Sequence, residues 1–103
     1  MMNTIEKIGI VEVEVINHFN KNAEYTGIAN LLANEQKHII QIGTSILCTK
    51  WEIGYAGGGF VHAFVNNDLM GALGSADGTT IKGFKFFASL VYNVGIPTNL
   101  INN

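Results

Sequence analysis

Glu12, Glu35 and His38 have the types and spacing for metal chemistry. Glu35-Gln-Lys-His38 is a Glu-x-x-His step, which on a helix sets a carboxylate and an imidazole on one face. Taken as helices, the front of the chain places Glu12 inside the stripe of Ile5, Ile8, Val15, Ile16 and Phe19. Glu35 falls inside the stripe of Ile28, Leu31, Leu32, Ile39 and Ile42. A bare carboxylate in an apolar face is costly, so it should be paired, protonated or on a metal. Glu12 lies eight residues before an expected helix end at Asn20, and Glu35 lies eight after an expected restart at Gly27. An antiparallel hairpin would hold the two at similar height. One chain has a single Glu-x-x-His step. Two copies would supply the four carboxylates and two imidazoles of a dimetal-carboxylate bundle holding a divalent metal, iron or manganese. An exposed face or a shifted helix explains so short a motif equally simply.

A second constellation is Gly54-Tyr-Ala-Gly57-Gly58-Gly59, leading into an expected helix at Phe60. Glycines let backbone amides crowd around an anion, and a helix start adds partial positive charge. His62 is in the first turn. Lys50, Lys82 or Lys85 would complete the charge, and Trp51 or Tyr55 would stack on a planar base. The Gly-Lys-Ser/Thr of a P-loop is missing, as is Gly-x-Gly-x-x-Gly after a clear strand. The structural alternative is a flexible joint or a tight helix contact. Nucleophilic chemistry finds less support. Cys48 could pair with His18, His38 or His62, but no local motif surrounds any of them. Ser45, Ser75 and Ser89 lack the Gly-x-Ser-x-Gly elbow.

Charge is unevenly spread. Ten of the fourteen charged residues precede Ile53, and only Asp68, Asp77, Lys82 and Lys85 follow it. The same second half holds nine of the twelve glycines and seven of the ten aromatics. Surface with so little ionic cover is expected to lie against another copy of the chain, a partner or a membrane, and self-association is the commonest resolution. The net charge is −2 and there is no arginine, which argues against a groove for a nucleic-acid polymer. The single cysteine excludes an internal disulfide and a multi-thiol zinc site. No secretory signal is recognised, so a cytoplasmic location is expected. Ile53–Leu73 and Phe86–Asn103 are interrupted by polar residues, Gly and Pro, so neither suits a membrane span.

The elements that would position these residues are mostly helical. Asn3 and Glu6 resemble a capping box opening a helix over about 4–20, although Val11-Glu-Val-Glu-Val15 also alternates like a strand. Asn20–Glu24 reads as a loop, after which Thr26 is expected to cap a helix whose persistence past Gly43 is open. A competing reading pairs 27–33 with 38–42 as a β-hairpin. Phe60, Val61, Phe64, Val65, Leu69, Ala72 and Leu73 predict one helix. Ile81, Phe84, Phe87, Ala88, Leu90, Val91 and Val94 predict another, ended by Gly95 and Pro97. Phe86 falls off that stripe and is expected to touch another chain.

The sequence thus reads as a single domain, 1–103, mostly α, a small helical bundle with a C-terminal helical hairpin; the alternative is α+β with a short N-terminal β-hairpin. Binding is expected over turnover. The main expectation is a homo-oligomer that holds a small anionic molecule such as a nucleotide through Trp51, Tyr55, Gly57, Gly58, Gly59, His62, Lys82 and Lys85, with no cofactor. The alternatives are the dimetal protein and a small inhibitor that binds a larger protein.

Overall fold

The computed structural model describes residues 2–54 and 56–101, and within them every regular element is a helix. α1 spans Thr4–Asn22. The side chain of Asn3 accepts from the Glu6 backbone N–H at 2.9 Å, satisfying one of the helix's orphan donors. Val11, Val15 and Phe19 form its buried face. Glu12 is exposed, which corrects its expected place in an apolar stripe.

The expected restart at Thr26 is also corrected. Thr26 closes α1 instead, its hydroxyl donating to the Asn22 carbonyl at 2.7 Å. Gly27 then turns the chain with φ at 80°. α2 begins only at Ala33 and runs to Lys50 without interruption. Residues 27–42 therefore hold no β-hairpin: the segment is a turn followed by the first half of α2. Glu35 reaches back to the Leu32 backbone N–H at 3.3 Å, serving the first turn of a helix whose cap residue has no polar side chain.

Gly43 lies within α2 and shows why a glycine survives in a helix interior. A Cβ there would stand 3.1 Å from both Val15 and Leu90, so its absence lets α1, α2 and the sixth helix approach closely. Val15 opposite Gly43, and Ile8 and Thr4 beside Gly54, make α1 and α2 antiparallel.

The expected C-terminal hairpin is present but subdivided. α3 (Gly59–Val65) and α4 (Leu69–Ser75) replace the first long helix. The break falls at Asn67, whose φ of 62° is left-handed, and Asp68 then caps α4 through the Gly71 N–H at 3.0 Å. α5 (Gly78–Lys82) and α6 (Phe84–Asn93) replace the second. Asp77 caps α5 through the Thr80 N–H at 2.7 Å. At Gly83 between them, a Cβ would collide with Ile39 and Phe87. α7 (Thr98–Ile101) closes the described chain and buries Leu100.

The core lies where α1, α2 and α6 meet. Val11, Val15, Ile39, Ile46, Leu47, Phe86, Phe87 and Leu90 are fully buried there. Phe60, Phe64, Phe84 and Phe87 extend it as a ring cluster with centroids 5.3–6.1 Å apart. Phe86, expected to face another chain, instead packs edge-on against Phe19 at 5.7 Å inside its own core. No helix among the described residues is long and apolar enough to cross a membrane.

Candidate functional site

The expected metal set is held apart by the register of the hairpin. With Val15 opposite Gly43, Glu12 falls level with about Ile46, eleven positions along α2 from Glu35. At 1.5 Å per residue that is roughly 17 Å along the axis. The similar height expected for them rested on a helix restarting at Gly27, and the later start at Ala33 removes it. Glu35 pairs with Lys82 at 2.9 Å. That hydrogen bond, with a smaller one from the Leu32 N–H, holds its carboxyl below the usual range. His38 faces Thr80 and Asp77 rather than Glu12. Among the described residues, no group of three His, Cys, Asp or Glu side chains could hold a metal ion.

The expected anion site divides between the two ends of α2. Its glycine end lies beside the helix C-terminus, where the Gly57 N–H donates to Thr49 Oγ1 at 2.9 Å. A Cβ at Gly57 would meet Val61 and Ser45, so this glycine serves a close contact between the α2–α3 connection and the helices beside it. Gly58 and Gly59 are exposed, and Gly58 has open space around it. Trp51 is half-buried as the C-cap of α2, and His62 is exposed near the end of α3. Tyr55 lies outside the described residues. Lys50 reaches the Val91 carbonyl at 3.2 Å, tying α2 to α6. Lys82 stands at the other end on Glu35, and Lys85 lies 4.4 Å over the Tyr25 ring. Glu35 and Thr49 are fourteen positions apart on α2, so Lys82 and Gly57 are separated by roughly 21 Å along it.

Two polar clusters that sequence spacing does not reveal are assembled by the fold. In the first, His38 Nε2 is 3.4 Å from Thr80 Oγ1 and 3.5 Å from Asp77 Oδ2. A catalytic relay needs the hydroxyl and the carboxylate on opposite ring nitrogens. Both partners here share one, so the cluster acts as a tie between α2 and α5. Hydrogen bonds from the Thr80 backbone and hydroxyl hold the Asp77 carboxyl below the usual range.

In the second cluster, His18 Nε2 meets Ser89 Oγ at 2.9 Å across seventy-one positions of sequence. Asn22 Nδ2 donates to the His18 carbonyl at 3.0 Å and lies 3.3 Å from His18 Nδ1. Nδ1 therefore accepts, Nε2 carries the proton, and the ring donates to Ser89. That is the reverse of what an activated serine requires. Burial, with Lys21 a smaller cause, lowers the His18 pKa and favours this neutral ring. Cys48 is buried, and burial pushes its thiol up to about 11, leaving little thiolate at neutral pH.

One concavity is apolar and was not legible in the sequence. A cavity of about 300 Å³ opens between α3, α4 and α6, walled by Phe64, Leu69, Ala72, Phe84, Val91 and Tyr92. Asp68 is the one charged residue lining it, and its carboxylate is engaged in capping α4. Four large side chains on the same helices are exposed: Leu69 by 58%, Met70 by 78%, Leu73 by 42% and Tyr92 by 90%. Their signal in the sequence was the low charge density after Ile53. Assigning Leu69 and Leu73 to a single long helix hid which face they present.

No family model matches this chain, and none of the curated proteins or solved structures compared with it is similar enough to count as a match.

Proposed function

We propose that this chain is a non-enzymatic binding protein that works as a homo-oligomer, pairing with itself through the apolar face of α4 and α6. The observation that carries this reading is the joint presence, on one patch, of a cavity and of apolar projections beside it. Leu69, on the cavity wall, and Leu73 stack one turn apart on α4, Met70 is exposed on the same helix, and Tyr92 of α6 lines the cavity while staying exposed. A two-fold interface sets the same patch against itself, so it needs protrusions and a recess of matching chemistry within that patch. Met70 or Leu73 of one copy would enter the cavity of the other, and Tyr92 would cover it from the side. A small anion has no comparable seat, because the lysines and the glycine connection are at opposite ends of α2. The two histidine–hydroxyl contacts support binding over turnover, since both are arranged as ties between helices.

Sedimentation velocity over a micromolar to millimolar range tests the pairing. The expected result is a reversible dimer that Met70→Asn with Leu73→Asn dissociates while the helical circular dichroism is kept. A wild-type chain that stays monomeric throughout overturns it.

A further inference from the structure

A second surface, on the outside of α1, is independent of that pairing. Opposite its buried face, α1 carries another apolar stripe. Ile5 is 81% exposed and Val13 55% exposed, with Gly9 midway between them and Met2 and Ile10 half-buried alongside. A Cβ at Gly9 would find no atom within 4 Å, so the stripe dips there. Met2, Glu6, Gly9, Ile10, Val13 and Glu14 line a shallow depression of about 410 Å³. A helix that serves only to cover a core carries polar residues on its outer side.

The charge around this stripe selects its occupant. Glu6, Glu12 and Glu14 surround it, and none of them takes part in either ion pair found among the described residues. With Lys7 they give the stretch a charge of −2, which equals the formal charge of the whole chain. A second copy laid antiparallel and centred on Gly9 would set Glu12 against Glu6, and a parallel copy would bring the same acids side by side. Like charges so placed oppose self-pairing. We infer that the outer face of α1 docks a cationic amphipathic helix of another protein. One apolar side chain of that helix would seat over Gly9 between Ile5 and Val13, and its lysines or arginines would meet Glu6, Glu12 and Glu14. Helix-against-helix recognition of this kind uses apolar anchors at helical spacing, with flanking charge setting partner choice.

Fluorescence anisotropy with a designed helical peptide of ~15 residues, leucines on one face and lysines on the other, tests the inference. The wild-type chain is expected to bind it, more weakly as salt rises. Val13→Asn, at an exposed position, is expected to weaken binding roughly tenfold. Glu12→Gln with Glu14→Gln is expected to weaken it as well and to flatten its salt dependence. No binding by the wild type overturns the inference. Equal binding of a scrambled peptide of the same composition does so too, as does unchanged affinity of Val13→Asn. Sedimentation of Val13→Asn separates this face from the other: if that change dissolves a wild-type dimer, α1 is the contact between copies and the inference falls.

Discussion

α1 and α2 run for 19 and 18 residues, whereas α3, α4, α5 and α6 have 7, 7, 5 and 10. Isolated helices below about 12–15 residues are marginal in water, so the two halves depend on different things. The front half consists of helices long enough to be set by local caps and a periodic face. The back half consists of short helices held by packing: α3, α5 and α6 pack on α2, and α4 packs on α3. Phe86, Phe87 and Leu90 are as fully buried as Val11 and Val15. A stretch nearly without charge can therefore be a well-packed half of a core, with exposed apolar side chains left at α4 and Tyr92 and singly at Ile81 and Ile101.

The largest expected effect tests that dependence. Phe87→Ala should destabilise the fold by about 3–5 kcal/mol, as aromatic truncations in packed cores do. Chemical denaturation should show one cooperative loss of both halves; a separate early transition for the back half would break the comparison. Next, Gly83→Val drives a side chain into Ile39 and Phe87 and should cost about 1–3 kcal/mol through overpacking. Gly58→Ala, facing open space, should leave the melting temperature within error.

The caps give a smaller contrast. Asn3→Ala and Asp68→Ala each remove one side-chain cap and should each cost about 1 kcal/mol. Hydrogen exchange should nevertheless differ, because α1 would fray by a turn while α4, with 7 residues, would lose protection throughout.

The smallest effect concerns the His18 tie between the halves. Its pKa is lowered in the fold, so the unfolded chain binds the extra proton first. Stability from this group is complete above the ordinary histidine value of 6.5 and is lost as pH falls through the folded pKa. A melting temperature that declines below that pH should follow, and His18→Gln should flatten the decline. An unchanged decline in the variant would assign it to other groups.

The legible parts of the molecule were those written in neighbouring residues. Asn3 with Glu6 marked the start of α1, and the spacing of Val15 and Phe19 marked part of its buried face. Gly95 and Pro97 marked the stop after α6. The illegible parts depended on partners far away in sequence. Glu12 looked apolar-facing because α1 has hydrophobic residues on two sides, and only the position of α2 decides which side is core. Phe86 looked outward because Phe84 and Phe87 defined the stripe, yet α1 brings Phe19 over it.

Alone, the sequence determined that the chain is mostly helical and glycine-thinned toward its end, with a cap at Asn3 for its first helix. Those are properties of a few consecutive side chains acting on their own backbone. Tertiary structure decided the register of α1 on α2, and with it that Glu12 and Glu35 stand apart. It also decided that His18 meets Ser89, and that Leu69, Met70, Leu73 and Tyr92 are left in water. Burial and pairing are set by which surfaces pack closest, and at Gly43 and Gly83 that choice turns on the space of a single missing methyl group.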